Sequence, residues 1–413
     1  MISRRTFIKQ TAALGATAAA PGAYPGSAGA WDARREVNRN PRAITMWDFS
    51  WLERRWPGAG YEDCDAAMDQ AGERGYDAIR IDAFPHLVAT APEKDWMLLP
   101  VWSVQDWGSP ALNRVRVLPA LHEFVAGCRR RKIKVGLSTW YREDADQTRM
   151  KITSPEIMAE QWNITLAGLK RAGLLDSILY VDLCNEWPGE LWCPFFHNDP
   201  PGLTWGGWHT ETSMRWMKQA CESVRREHSG LPISFSFEPK DRTKLAGKNL
   251  RFLDFADPHL WLAQANGSEF YNQIGYKGSL FDLGGYHTLA DKAESAYRAR
   301  VGYWRGLLRE HILSCANAFK PHGLPLITTE CWAVVDYKDW PLLNWDWVKE
   351  LCRLGVETAA ATGQWLAIGT SNFAGPQFHG MWRDVRWHRE LTDLIKRSPI
   401  LPELQKATLA TRL

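Results

Sequence analysis

The sequence predicts an α/β fold: a single (β/α)8 barrel, also called a TIM barrel, with long loops after its strands. Short apolar segments rich in β-forming residues alternate with helix patterns along the chain, which is typical of a parallel sheet. Eight strand segments can be counted, and no linker rich in Pro, Ser or Gly divides them. A doubly wound sheet is the alternative, but the first strand lacks the G-x-G-x-x-G turn of a dinucleotide site.

The N-terminal segment is expected to be an export signal rather than part of the fold. A basic region containing Arg4-Arg5 is followed by an Ala/Gly-rich run and by the A-x-A sequence at residues 28–30. Paired arginines ahead of such a run are typical of a twin-arginine signal peptide, and the run is too short to span a membrane. We therefore assign residues 1–30 to the signal and residues 31–413 to the barrel domain, and we expect a periplasmic or extracellular location.

Strand and helix segments follow one another in the order that a barrel requires. The predicted strands are Ala43–Phe49, Ala78–Ile81, Ile133–Ser138, Ser177–Leu183, Pro232–Phe237, Leu253–Ala256, Leu326–Thr329 and Gln364–Ile368. The predicted helices are Tyr61–Gly75, Leu118–Arg131, Ser154–Ala172, Thr210–Glu227, Leu289–Phe319, Trp345–Leu354 and Arg386–Lys396. Ser154-Pro155-Glu156 predicts a helix start, because a capping hydroxyl precedes a proline at the first helical position and an acid in the first turn.

The composition of the chain indicates which classes of molecule it is expected to bind. A net charge of +3, from interspersed acidic and basic residues, gives no reason to expect binding to nucleic acid or to a membrane surface. The chain contains 23 Trp, whose flat apolar face and N–H donor suit sugar rings as well as a protein core. The eight cysteines lack the spacing of zinc ligands, so we expect neither a metal nor an organic cofactor. Whether Cys184 and Cys193 form a disulfide is left open by their spacing.

Two glutamates are the candidate catalytic residues, because each follows the end of a predicted strand. Glu186 ends the segment S-I-L-Y-V-D-L-C-N-E, Glu330 ends L-I-T-T-E, and each is followed by a Trp within two residues. The carboxyl ends of barrel strands meet at one face, so the two carboxylates can converge there. Glycoside hydrolysis uses such a pair: one group protonates the leaving oxygen, and the other attacks the sugar carbon or activates water. Helix capping or ion pairing is the alternative role for either glutamate alone.

Polar residues beside aromatic ones at other strand ends are candidate substrate-binding residues. Trp47 and Asp48 end the first strand, and Asp82 and His86 follow the second. Polar groups beside aromatic rings suit the hydroxyls and the apolar face of a sugar. Loop packing and capping are the alternative.

The order of these motifs, from about Ala43 to Trp382, resembles the retaining glycosidases of the barrel clan that includes glycoside hydrolase family 5 and the cellulase-like sugar-binding proteins. The resemblance implies that Glu186 is the acid/base, that Glu330 is the nucleophile, and that Asn185 contacts the sugar 2-hydroxyl. It also implies that Arg80 hydrogen-bonds the nucleophile, where its charge would keep the carboxylate ionised.

Further substrate contacts follow from the same resemblance. Trp365 is expected to form the floor of the sugar site, and Trp261 stands where family 5 usually has a Tyr. Trp140 and Tyr141 occupy the end of the third strand, where family 5 has a His. The expected substrate-binding residues are therefore Trp47, Asp48, Arg80, Asp82, His86, Trp140, Tyr141, Asn185, His259, Trp261, Trp332 and Trp365.

The expected function is that of an exported retaining β-glycosidase acting on β-linked oligo- or polysaccharides by double displacement. Long loops after the second, fourth and sixth strands favour a partly closed, pocket-like site. A glycan-binding barrel without turnover is the alternative, because binding needs only the cleft. A metal-dependent enzyme on the same fold is a further alternative, disfavoured by the lack of clustered His, Asp and Glu at several strand ends. The sugar, its linkage, endo or exo action and the oligomeric state stay open.

Overall fold

A computed structural model describes residues 39–102, 106–197, 207–239, 242–277, 283–337, 339 and 343–413. The expected signal peptide, residues 1–30, lies outside the described residues, so its assignment stays a prediction. Within the described residues, no helix combines the length and the apolar character that crossing a bilayer would require.

Eight parallel strand positions form the predicted barrel, which confirms the fold class. The strands are β1 (Arg42–Met46), β2 (Ala78–Asp82), β3 (Lys134–Ser138), β4 (Ile178–Asp182), β5 (Ile233–Ser234 and Ser236–Phe237), β6 (Asp257–Pro258 and Leu260–Trp261), β7 (Leu326–Thr328 and Cys331–Trp332) and β8 (Trp365–Gly369). Seven of them pair in the order β7-β8-β1-β2-β3-β4-β5. β6 continues the ring between β5 and β7, because Ser236 of β5 pairs with Asp257 and Leu260 pairs with Cys331 of β7.

Long helices surround the strands. They are α1 (Cys64–Glu73), α2 (Val117–Arg130), α3 (Pro155–Arg171), α4 (Glu211–Glu227), α5 (Val301–Phe319), α6 (Asp346–Thr362) and α7 (Val385–Arg397). The shorter α-helical segments are Ser50–Glu53, Pro85–Thr90, Pro194–His197, Ala265–Ile274, Leu283–Thr288, Glu294–Ala299 and His379–Trp382. The predicted start of α3 is confirmed, since the Ser154 side chain accepts a hydrogen bond from the backbone N–H of Ile157.

Two predicted elements differ from the structure, and one hairpin was not predicted. The predicted helix Leu289–Phe319 is interrupted at Arg300, which leaves the helical region (φ −139°, ψ 40°) although the apolar periodicity continues across it. The predicted strand Leu253–Ala256 is wrong by a few residues, because β6 begins at Asp257. An antiparallel hairpin, Asp95–Leu98 with Asn113–Arg116, stands in the loop after β2, where no strands were predicted.

The packing of the barrel leaves one end for chemistry. Apolar residues at the amino ends of the strands, including Ile44, Ala78 and Leu179, pack against the C-terminal segment around Leu404 and Leu409. This apolar cluster closes the amino end of the barrel. Buried polar side chains therefore lie further along the strands and at their carboxyl ends.

All eight cysteines lie among the described residues, and none of them forms a disulfide. Cys184 and Cys193 are both completely buried, and their thiols donate to the backbone carbonyls of Asn185 at 3.5 Å and Gly189 at 3.1 Å, respectively. The disulfide that the spacing left open is therefore not formed in this structure.

Candidate active site

Glu186 and Glu330 meet at the carboxyl end of the barrel. Glu186 follows β4 in a left-handed backbone conformation (φ 47°), and its N–H donates to Ser236 Oγ at 3.0 Å, which anchors this turn to β5. Glu330 lies between the two segments of β7 and is 8% exposed. A carboxylate oxygen of Glu186 and one of Glu330 lie within 4.8 Å of each other. The two carboxylates can therefore act on the same sugar ring.

His259, in β6, links the two glutamates. Its Nδ1 lies 3.0 Å from Glu186 Oε1 and 3.7 Å from Glu330 Oε2. The imidazole is completely buried, so this contact is shielded from water. The other Glu186 oxygen, Oε2, is 3.4 Å from the indole Nε1 of Trp192, which donates to it. Trp192, rather than the adjacent Trp187, thus supplies the aromatic surface beside this carboxyl group.

Arg80 supports the pair from inside the barrel. Its Nη1 donates to Glu330 Oε1 at 2.9 Å, and its Nη2 donates to Asp182 Oδ2 at 2.7 Å and to Asn185 Oδ1 at 2.6 Å. The guanidinium carbon lies 4.5 Å from the ring centroid of Trp140, a cation–π contact. Arg80 is completely buried, so one fixed cation on β2 orients residues at the ends of β4 and β7.

The positive charge of Arg80 lowers the pKa of Glu330, as expected, but burial outweighs this effect. Burial raises the pKa of Glu330 above its usual value, and His259 and Arg80 only partly oppose this effect, while the nearby Glu186 adds to it. Arg80 also interacts with Asp182 and Asp257, so its charge is shared among several acids. Desolvation therefore dominates the ionisation of Glu330.

A cavity of about 780 Å³ opens above the two glutamates. Aromatic residues from four different loops form much of its wall: Trp102, Trp107, Trp140, Trp192, Trp261 and Tyr271. The volume lies in the range of small-molecule sites, and aromatic faces with a few polar groups are the lining that a sugar requires.

Six predicted substrate-binding residues lie in or directly under this cavity. Asp48, Trp140, Asn185 and Trp261 line it. Arg80 and His259 lie behind the lining and contact the glutamates.

Three predicted tryptophan contacts are contradicted by the structure. The three side chains are at most 1% exposed and do not line the cavity; they are those of Trp47, Trp332 and Trp365. Trp365 lies at the amino end of β8, away from the cavity, where its Nε1 donates to Thr328 Oγ1 at 2.7 Å. Trp332 donates to the Gly369 carbonyl at 2.8 Å, and Trp47 packs edge-on against Tyr61. These indoles serve the core because their side chains point away from the cavity.

The predicted substrate contacts of Asp82, His86 and Tyr141 are also contradicted, because all three are completely buried and hold loops in place. Asp82 accepts from the backbone N–H groups of Phe84 at 2.7 Å and Trp140 at 2.9 Å. His86 Nε2 lies 3.0 Å from the Arg142 carbonyl oxygen, and Tyr141 donates to the Leu183 carbonyl at 3.3 Å. Their role is the alternative named from the sequence, loop packing and capping.

Sequence reasoning missed several residues of the cavity wall. Trp107, Gln264 and Asp336 line it but belong to loops without a strand-end motif, whereas Glu238 directly follows β5 and is a strand-end glutamate that was overlooked. Asp336 follows Glu330 by only six positions, in C-W-A-V-V-D, and that closeness to a catalytic candidate was the available signal.

Glu186, His259 and Glu330 are also described residues whose ligand atoms lie close enough together to hold a metal ion. One imidazole nitrogen and two carboxylate oxygens suit a divalent cation such as zinc. Arg80, however, already places a permanent positive charge 2.9 Å from Glu330 Oε1, and that charge disfavours a second cation. The arrangement therefore suits acid–base and nucleophilic chemistry better than metal binding.

Comparison with known proteins gives consistent matches. The model of a family described as "Cellulase-like: Sugar-binding cellulase-like" matches residues 44–396. A solved structure of a provisionally assigned glycoside hydrolase from Parabacteroides distasonis ATCC 8503 is 52% identical, with a TM-score of 0.89 over 91% of this chain and 100% of that one. No curated protein matches the chain.

More distant structures share the fold. The endo-β-1,4-mannanase of Thermotoga petrophila is 11% identical, with a TM-score of 0.50 over 88% of this chain and 78% of that one. A glycoside hydrolase family 5 mannosidase from Rhizomucor miehei is 9% identical, with a TM-score of 0.51 over 87% of this chain and 94% of that one. At such identities the likeness extends to the barrel alone.

Proposed function

The chain belongs to the family of cellulase-like sugar-binding proteins, and from that membership and the geometry of the site we propose that it is a retaining β-glycosidase. Its substrate is a β-linked oligo- or polysaccharide, and hydrolysis proceeds by double displacement with Glu186 as acid/base and Glu330 as nucleophile. Export by a twin-arginine signal, and action outside the cytoplasm, are part of this proposal and rest on the sequence alone.

One observation carries the mechanistic proposal: the separation of the two carboxylates. Carboxylate oxygens of Glu186 and Glu330 approach within 4.8 Å. Retaining glycosidases hold their carboxyl groups roughly 5–5.5 Å apart, whereas inverting enzymes need about 6.5–9.5 Å to admit a water molecule behind the sugar. The short separation supports direct attack by a carboxylate.

In the first step, Glu330 attacks the anomeric carbon while Glu186 donates its proton to the departing glycosidic oxygen. The bond to the leaving group breaks, and a glycosyl ester of Glu330 forms. Arg80, which donates to Glu330 Oε1 at 2.9 Å, orients the carboxylate for this attack.

In the second step, Glu186 acts as a base instead of an acid. Esterification removes the negative charge of Glu330, which makes the ionised form of Glu186 more favourable. Glu186 then takes a proton from a water molecule, the water oxygen attacks the anomeric carbon, and Glu330 leaves as a carboxylate. His259, whose Nδ1 faces both glutamates, provides a hydrogen bond that can follow the negative charge from one carboxylate to the other.

The proposal is tested by the stereochemistry of the first product. The purified protein is incubated with aryl β-glycosides and with β-glucan, mannan and galactan oligosaccharides, and proton NMR identifies the anomer released before mutarotation. We expect the β-anomer. Release of the α-anomer would establish inversion, and glycan binding without any turnover would support the non-catalytic barrel instead.

The acid limb of the pH–rate profile is expected to lie above the ordinary pKa of a glutamate. Burial raises the pKa of Glu330, and attack requires its ionised form, so activity is lost as pH falls through this raised pKa. The apparent value belongs to the coupled pair rather than to one residue. It is read from kcat/KM against pH, with circular dichroism at each pH to exclude unfolding. An acid limb at or below about pH 4.3, the ordinary glutamate value, would contradict the prediction.

A further inference from the structure

We propose that Asp336 and Asn372 form a specificity subsite in the wall of the cavity, and that this subsite selects a neutral, hydroxyl-bearing sugar over a uronic acid. The assignment deepens the proposed function and rests on it for the identity of the cavity as a sugar site. It concerns residues in the loops after β7 and β8, neither of which takes part in the two chemical steps.

Asp336 is held in place through its Oδ2, and the hydroxyl of Tyr276 is a second neighbour of its carboxyl group. Its Oδ2 accepts from the Tyr271 hydroxyl at 3.4 Å, and the same hydroxyl oxygen accepts from the backbone N–H groups of Val335 at 3.1 Å and Asp336 at 3.3 Å. The residue is 2% exposed and lines the cavity. Its Oδ1 is buried without a hydrogen-bond partner among the described residues. A fixed carboxylate with one unused acceptor is therefore ready for a donor that enters the cavity.

Four further buried polar atoms in the cavity wall have no hydrogen-bond partner among the described residues. Asn372 Oδ1 and Gln264 Oε1 are buried acceptors without partners among the described residues, and Trp107 Nε1 and Trp261 Nε1 are buried donors without partners. All four side chains line this cavity. Buried polar groups are normally paired, because an unpaired group costs free energy. A sugar ring meets both needs at once, since each hydroxyl can donate to one atom and accept from another.

The charges of the wall decide which kind of sugar fits. Among the described residues, five carboxyl groups line the cavity, those of Asp48, Glu186, Glu238, Glu330 and Asp336, against one amino group, that of the exposed Lys277. A uronic acid would bring a further negative charge into this acidic, poorly solvated space, where like charges repel strongly. A neutral ring carries hydroxyl donors and no such charge.

Burial shapes the ionisation of Asp336 as well. Burial raises the pKa of Asp336 to about 7, and the neighbouring tyrosine hydroxyls only partly oppose this. Binding experiments are therefore best performed at pH 8, where Asp336 is mainly ionised.

The test compares sugar binding by Asp336→Asn and by its parent, both carrying Glu330→Gln to prevent turnover. The probes are β-linked trisaccharides of glucose, mannose and galactose, the corresponding uronic acid trisaccharides, and a glucosamine trisaccharide. Binding is followed by tryptophan fluorescence at pH 8. We expect the parent to prefer a neutral sugar over its uronic counterpart by at least about 100-fold, and Asp336→Asn to weaken binding of the neutral sugar roughly 10- to 100-fold.

A series of ring-deoxy analogues of the best neutral sugar separates recognition from a merely structural effect. The analogue that lacks the recognised hydroxyl should bind more weakly to the parent, and Asp336→Asn should weaken its binding no further. The matched control is Asp346→Asn, since this carboxyl on α6 is 74% exposed and does not line the cavity. It should bind every probe like the parent.

Three results would overturn the inference: a uronic sugar bound as tightly as its neutral counterpart, a glucosamine sugar bound more tightly than every neutral one, or no effect of Asp336→Asn on neutral binding. A parent that binds none of the probes overturns it as well. Because the readout is binding, these results are distinguishable from a failure of the proposed catalysis, which appears as sugar binding by the wild type without turnover.

Discussion

Replacement of Glu330 by glutamine is expected to lower kcat/KM for aryl β-glycosides by about 10⁴-fold or more, the order found when a catalytic nucleophile is removed. Glutamine keeps the size of the side chain and the acceptor for Arg80, which lies 2.9 Å from Glu330 Oε1. Its neutral amide, however, cannot form the glycosyl ester. The loss should therefore appear in kcat/KM without a change in the melting transition.

The matched control is Glu357→Gln, which changes an exposed glutamate on α6 outside the cavity and should leave kcat/KM unchanged. Full activity of Glu330→Gln would disprove the assignment of the nucleophile.

The stereochemistry of the product formed with azide distinguishes the acid/base glutamate from the nucleophile. In Glu186→Ala, a substrate with a good leaving group still forms the glycosyl ester of Glu330. Azide needs no general base, so it can attack this ester in place of water. The product is then a β-glycosyl azide. In Glu330→Ala, azide occupies the space of the nucleophile and attacks the opposite face, which gives an α-glycosyl azide. Products of the reverse stereochemistry would exchange the two assignments.

Replacement of Arg80 by methionine is expected to lower the free energy of unfolding by about 3–5 kcal/mol, the cost of leaving a buried charge without its partner. Arg80 and Asp182 are both completely buried, and Arg80 Nη2 donates to Asp182 Oδ2 at 2.7 Å. Without the guanidinium, Asp182 keeps only neutral donors, among them Ser138 Oγ at 2.7 Å. Denaturant titration followed by circular dichroism measures the change.

An exposed pair provides the control for Arg80. Arg298 donates to Glu350 at 2.8 Å, but the two side chains are 41% and 39% exposed. Arg298→Met should therefore change the free energy of unfolding by no more than about 1 kcal/mol. If Arg80→Met has an effect as small as Arg298→Met, then the neutral donors alone satisfy Asp182, and the buried cation is not needed for stability.

The failed predictions share a physical cause. Trp47 and Trp332 were assigned to the sugar site because they lie on or beside strands, but a strand directs alternate side chains to opposite faces. A Trp one residue further along a strand faces the opposite side, and a Trp at the amino end of a strand lies away from the carboxyl end. The exact position in the strand therefore decides whether the side chain lines the cavity or packs in the core. Trp365 lies near the amino end of the predicted strand Gln364–Ile368, as it does in β8, so its assignment to the floor of the sugar site rested on the family resemblance and not on its position in the strand.

The direction of the Glu330 pKa shift could not be read from the sequence either. The motif around Arg80 indicated a nearby cation, but the net shift also depends on burial, on Glu186 and on the other acids that interact with Arg80. These contributions come from residues on several strands, and their sum requires distances and exposure.

The proximity of Arg80 to the two glutamates was implied by the resemblance to known glycosidases. By itself, the sequence determined the order of eight strands and the placement of Glu186 and Glu330 after β4 and β7. These follow from local signals, because apolar periodicity locates strands and a parallel barrel brings all their carboxyl ends to one face. Only the tertiary structure decided that carboxylate oxygens of Glu186 and Glu330 lie within 4.8 Å of each other, that His259 links the two residues, and that Asp336 and Asn372 lie in one cavity wall. Those features depend on how separate loops pack against one another, and no local pattern in a chain specifies that packing.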